Sequence, residues 1–161
     1  RTFSSAASDV YKRQFWHKQK KMNIQINDKI NEQIQEEVTE MLINVNKNNL
    51  PPVDGEVNEP FEIVARDSSG NITGGVLGRT IYGNMEIRIL VVAKNERGKG
   101  LGKRLMKAAE KEALKRNCKY ISLDTFSFQA PGFYEKLGFQ KIGIEENPHR
   151  GYDKIYYRKA I

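Results

Sequence analysis

The stretch "IRILVVAKNERGKGLGKRLMKAAEKEALKRN", Ile87 to Asn117, decides the fold. Its first seven residues are apolar apart from Arg88, as in a largely buried strand. From Leu101 onward, Leu101, Leu105, Ala108, Ala109, Ala113 and Leu114 form one apolar helical face, and Lys103, Lys107, Lys111 and Lys115 form a wet one. Asn117 suits a left-handed helix end. Between strand and helix, "NERGKGLGKR", Asn95 to Arg104, sets three glycines among basic residues. A helix start carries unpaired N–H groups and a partial positive charge, so it attracts anions.

The next run, "KYISLDT", reads as a strand, so the helix is a crossover between two adjacent parallel strands. Upstream, "FEIVAR", "ITGGVLGRTIY" and "MEIRILVVA" are three strands joined by the turns "DSSGN" and Gly83-Asn84. "MNIQI", Met22 to Ile26, alternates like a short first strand. Ile30 to Val45 has helical spacing with Asp28 as N-cap, and "NKNNLPPVDGEVNEP" is a loop. Downstream, "SFQAPGFYEKL" suggests a short helix ended by Gly138. "FQKIGI" and "YDKIYYRKA" then close the sheet through a loop, "EENPHRG". The order predicts an α/β (α+β) domain with a mixed, mostly antiparallel sheet.

The net charge is +7, but six of the 27 Lys and Arg lie in Arg1–Lys21 with one acid. The other 140 residues hold 21 basic and 19 acidic side chains, too balanced a set to draw nucleic acid. Ser4 to Gln14, "SSAASDVYKRQ", reads back into a codon string matching a sequencing adapter from transposon-based library preparation. Residues 1–21 are thus expected to be a non-native or disordered tail, with the domain over 22–161. No apolar run is long enough to span a bilayer, so no membrane partner is expected. One cysteine, Cys118, excludes an internal disulfide, and two distant histidines argue against a zinc site.

Two common phosphate motifs fail on the glycine stretch. A P-loop sharing Gly102-Lys103 would need glycine at Arg97 and Ser or Thr at Arg104, and a dinucleotide fingerprint would need glycine at Lys103. What remains, Arg97-Gly98-Lys99-Gly100-Leu101-Gly102, resembles the R/Q-x-x-G-x-G/A motif of the GNAT superfamily of N-acetyltransferases. "FYEKLGF", Phe133 to Phe139, falls where that superfamily has its last helix and next strand. The resemblance covers about Met22 to Ile161 and points to a small bacterial single-domain member.

That resemblance implies a GNAT-like sheet with helices on both faces and a splayed parallel strand pair. It implies an acetyl-CoA-dependent N-acetyltransferase (EC 2.3.1.-), cytoplasmic, using no metal. Leu90, Val91 and Val92 would pair with the pantetheine arm, and Arg97 to Lys103 would hold the pyrophosphate. Tyr134 would protonate the departing thiolate, a role a phenol with pKa near ~10 can fill beside a thiol near ~8.5. The alternative for Tyr134 is packing with Phe126, Phe128, Phe133 and Phe139, and for Leu90–Val92 a plain core strand. Asp124 or Glu86 would take the amine's proton, with Asp124 slightly preferred; the alternatives are that either is an ordinary surface carboxylate and that a water-mediated route needs neither. Ser127 or Gln129 stands where many members have a cofactor-binding asparagine. Cys118 reads as a small helix-end residue, and His149, in the loop "EENPHRG", would stand near the acceptor mouth or be only a surface residue. The acceptor would be an amine on a small molecule or peptide, with homodimer formation left open. The competing function is a non-catalytic CoA-binding or sensing module of the same fold.

Overall fold

The structure, a computed structural model, describes residues 23–51 and 53–161. The tail, 1–21, lies outside the described residues. The chain divides into two compact units between Pro51 and Pro52. The first unit holds helix α1, Glu32–Asn49. Its N-cap is Asn31 rather than Asp28, because the Asn31 side chain accepts from the Ile34 N–H at 3.2 Å. It also runs past Val45 to Asn49, where the Asn49 amide donates to the Val45 carbonyl. The strand expected at Met22–Ile26 is not found: Asn23 to Ile26 carry no strand pairing, and Met22 lies outside the described residues.

The second unit holds strands β1 (Pro60–Arg66), β2 (Ile72–Ile81) and β3 (Asn84–Val92), helix α2 (Leu101–Lys115), strand β4 (Tyr120–Phe126), helix α3 (Pro131–Lys136), and strands β5 (Gln140–His149) and β6 (Tyr152–Ala160). They form one six-stranded sheet in the order β1-β2-β3-β4-β6-β5. Only β3 and β4 run parallel, as a helical crossover requires. Two turns differ from expectation. Tyr82 and Gly83 both have positive φ and make the β2–β3 turn, so Asn84 already belongs to β3. Arg150 and Gly151 likewise turn the last hairpin, so most of "EENPHRG" is strand.

Helix α2 packs on one face of the sheet. Leu101, Leu105, Met106, Ala109 and Ala113 are buried on it, against Val76, Met85, Ile87, Ile121 and Leu123. Met106, absent from the expected stripe, is fully buried, and Leu114, assigned to it, is exposed. A helix at 3.6 residues per turn rotates the stripe past Leu114 by its last turn. Asn117 takes the expected left-handed conformation, φ 55°, and its amide donates to the Gly55 carbonyl at 2.8 Å. Cys118 is buried just beyond, as read from the sequence.

One irregularity lies where β3 parts from β4. Leu77 pairs with Ile89 but Gly78 pairs with Ile87, so Arg88 is an extra, bulged residue in β3. The burial phase confirms it. Met85 and Ile87 face the core before Arg88, whereas Leu90 and Val92 do so after it, leaving Ile89 and Val91 exposed. Gly78 opposite the bulge has no substitute, since a Cβ there would collide with the Glu86 carbonyl and the Phe61 ring.

Candidate active site

The parallel pair β3–β4 is short. Its register runs from Asn84–Tyr120 to Ile87–Leu123 and stops there, although both strands continue. The bulge at Arg88 bends β3 where the pairing ends. Beyond it, Leu90, Val91 and Val92 have no β4 partner, and Asp124 is the first β4 residue without a β3 partner. Backbone left open in this way accepts an extended ligand as an added strand.

The glycine-rich turn follows directly. The Ala93 N–H donates to the Thr73 carbonyl at 2.8 Å, a short 3-10 turn covers Lys94–Glu96, and Arg97 donates from Nε to the Val92 carbonyl at 3.1 Å. Gly98 and Gly100 have φ of 76° and 81°, and a Cβ on either would meet nothing within 4 Å. Torsion rather than crowding therefore requires glycine there, and the space beside them is open. At Gly102 the reason is close approach, since a Cβ would lie 3.3 Å from the Phe133 ring. The turn is thereby packed against the helix that carries Tyr134. The first intrahelical bond is Arg104 N–H to the Gly100 carbonyl, so the N–H groups of Leu101, Gly102 and Lys103 precede the ladder. No acid lies in that first turn, and Arg97, Lys99, Lys103 and Arg104 are exposed around it. The charge of Lys99 is partly spent on Glu96 at 3.2 Å.

Tyr134 is 8% exposed in α3. Its ring meets Phe133, Phe139 and Tyr157 at centroid distances of 5.2, 6.0 and 5.9 Å. Phe126 and Phe128, expected in this cluster, instead stack on each other at 5.6 Å and pack with His149 and Tyr152. Burial raises the Tyr134 pKa, and the Asp124 charge adds to it, so the phenol is protonated at neutral pH. Among the described residues the Tyr134 hydroxyl makes no hydrogen bond, and since no buried side-chain polar atom there lacks a partner, it reaches solvent. The neighbouring Tyr157 hydroxyl does have one, donating to Glu135 at 2.9 Å.

Asp124 lies in a groove of about 570 Å³ over the splay, together with Glu86, Arg88, Lys154 and Tyr156. Both candidate bases are already paired. Asp124 lies 3.3 Å from the Lys154 ammonium, and Glu86 lies 2.8 Å from Arg79 on the adjacent strand. Ser127 and Gln129 serve the β4–α3 turn. Gln129 accepts from the Phe126 N–H and the Thr125 hydroxyl, and Ser127 accepts from the Asp153 N–H. His149 ends β5 rather than sitting in a loop. Burial pushes the Cys118 thiol up, which suits a packing residue and not a nucleophile. Among the described residues no group of His, Cys, Asp and Glu is arranged to hold a metal, and no helix is long and apolar enough to cross a membrane. Lys154, Tyr156 and Arg88 were not singled out in the sequence. "DKIYYRK" has no polar–apolar alternation to mark a face, and only the pairing of β6 with β4 shows which residues meet Asp124.

The Acetyltransferase (GNAT) family profile matches residues 28–139. The chain is 37% identical over 83 residues to the acetyltransferase Atu2258 of Agrobacterium fabrum, a match spanning 52% of this chain and 61% of that protein. It is 32% identical over 91 residues to the blasticidin-S acetyltransferase of Streptomyces morookaense, spanning 56% of this chain and 67% of that one. Among solved structures, an acetyltransferase from Bacillus cereus ATCC 14579 superposes with a TM-score of 0.74 at 28% identity, covering 87% of this chain and 100% of that one. A Bacillus anthracis str. Ames protein solved with acetyl coenzyme A superposes at 0.59 with 25% identity, covering 65% and 64%. The chain belongs to the GNAT acetyltransferase family.

Proposed function

We propose that the chain transfers an acetyl group from acetyl-CoA to the primary amine of a small molecule. The observation that carries this reading is the end of β3–β4 pairing at Ile87–Leu123, directly before the glycine-rich start of α2. Leu90–Val92 would take the pantetheine arm along their open backbone, and Arg97 to Lys103 the pyrophosphate. The groove of about 570 Å³ is of small-molecule size. A blasticidin-S acetyltransferase among the relatives supports an acceptor of that kind.

In this reading the amine nitrogen attacks the thioester carbonyl carbon. Its proton passes to Asp124, directly or through water, once Lys154 releases that carboxylate. The carbon–sulfur bond then breaks, and the thiolate takes the Tyr134 proton. Among the described residues the hydroxyl of Tyr134 has no hydrogen-bond partner to give up, which favours the role.

The test is in two parts. Acetyl-CoA should raise the melting temperature in a concentration-dependent way, by binding linkage. A screen of amine acceptors with thiol-release detection should then find turnover. Binding with no release from any amine would point to the non-catalytic CoA-binding module instead. The absence of both a thermal shift and a calorimetric signal at saturating acetyl-CoA would falsify the reading of the turn.

A further inference from the structure

In the register of β4 with β6, Asp124 faces Tyr156 and Phe126 faces Lys154. Asp124, Tyr156 and Lys154 therefore share one face of the sheet, at the vertex where β3 leaves β4. The Lys154 ammonium lies 3.3 Å from the Asp124 carboxylate and 5.2 Å from the centre of the Tyr156 ring. That ring is held by its hydroxyl, which donates to Glu145 at 2.9 Å. A carboxylate on one side and an aromatic face on another is the combination that takes up an alkylammonium ion. All three side chains line the groove at the splay.

We propose that Asp124 and Tyr156 form the recognition site for the acceptor's ammonium, and that Lys154 fills it as an internal stand-in until an acceptor displaces it. The inference rests on reading the groove as the acceptor site. It assigns the substrate class as an amine that is cationic at neutral pH on an unbranched aliphatic arm, the shape of the lysine stem now in place. It also assigns Asp124 two consecutive tasks, holding the ammonium and then taking the proton that must leave before the nitrogen can attack; Asp124 passes that proton to solvent water and so can take the second nitrogen proton as the amide forms. The local chemistry agrees. Burial pulls the Lys154 pKa down, but the Asp124 hydrogen bond and charge, with Tyr156, more than offset it, so the site favours an ammonium. Four rotatable bonds let Lys154 swing out to solvent, so displacement needs no backbone change.

The consequence is a competition. If Lys154 occupies the site about nine-tenths of the time, an external ammonium binds about tenfold more weakly than to an empty site. The experiment titrates n-butylammonium, and the neutral n-pentanol as control, into isotopically labelled protein, following backbone amides of β4 and β6 by NMR. Lys154→Met keeps the stem and removes the competitor, so n-butylammonium should bind at least about threefold more tightly, with no gain for n-pentanol. Adding Asp124→Asn to that variant should abolish the gain. Lys107→Met, on the wet side of α2, makes the same change in net charge and should give none. Lys154→Gln is the second variant should the first melt early. An equal gain in Lys107→Met, a gain for n-pentanol, or no ammonium binding in any variant would overturn the proposal. A thermal shift with acetyl-CoA on the same wild-type sample separates the failures. A shift without the ammonium gain overturns this proposal alone, and no shift overturns the reading beneath it as well.

Discussion

Tyr134→Phe tests the chemistry most directly, because the structure supplies its own control 5.9 Å away in Tyr157. Both tyrosines are buried, at 8% and 1% exposure, and both pack in one aromatic cluster. They differ in what their hydroxyls do. That of Tyr134 has no partner among the described residues, so its removal breaks no protein hydrogen bond. The expected stability cost is under about 1 kcal/mol, because ring packing is unchanged. That of Tyr157 donates to the Glu135 carboxylate, so Tyr157→Phe should cost about 1.5 kcal/mol, the lower end for a charged partner. General acid catalysis is worth about 10²–10⁴-fold, or roughly 3–5 kcal/mol of barrier. Tyr134→Phe should therefore slow the acetyl-transfer step by at least about tenfold at nearly unchanged melting temperature and acetyl-CoA affinity. Tyr157→Phe should show the opposite balance. The assay is a single turnover with enzyme in excess over acetyl-CoA, which removes product release from the rate, paired with thermal melts. Equal single-turnover rates for wild type and Tyr134→Phe would end the acid assignment and leave Tyr134 as a packing residue.

Further outcomes follow from the same geometry. Gly100→Glu places a Cβ in open space but at φ 81°, so it should cost about 1–2 kcal/mol of stability and leave the chain folded. Its carboxylate would fill the helix start proposed above to take a phosphate, so circular dichroism should show a fold and calorimetry no acetyl-CoA binding. Unchanged affinity would remove the pyrophosphate from this turn. Alkaline titration probes Tyr157, whose pKa is pushed up to about 12 by burial and then by the Glu135 hydrogen bond. An unfolded tyrosine titrates near ~10, so this contribution is complete below that pH and is lost as pH rises through the folded value, by about 2–3 kcal/mol. Denaturant melts should show that loss in wild type and a shallower one in Tyr157→Phe. Equal slopes would contradict the assignment.

The sequence alone determined the parts that depend on neighbours along the chain. Helical spacing from Leu101 to Lys115, the glycines at 98, 100 and 102, and the left-handed Asn117 are local physics, and all are legible in the order of residues. So was the parallel crossover, because handedness and chain length leave a strand–helix–strand unit few alternatives. Alternation does not announce where it breaks. The bulge at Arg88 is a mismatch between two strands, invisible in either one, and it shifts which residues of β3 face the core. The pairing of the last strand with β4, past β5, is equally non-local. It brings Lys154 and Tyr156 to Asp124 from 30 and 32 positions away, and no periodicity within β6 encodes that meeting. Spacing could nominate Asp124 as a carboxylate at a strand end. Only the tertiary fold gave it an ammonium to hold, because the energy of that contact falls with distance in space and not along the chain.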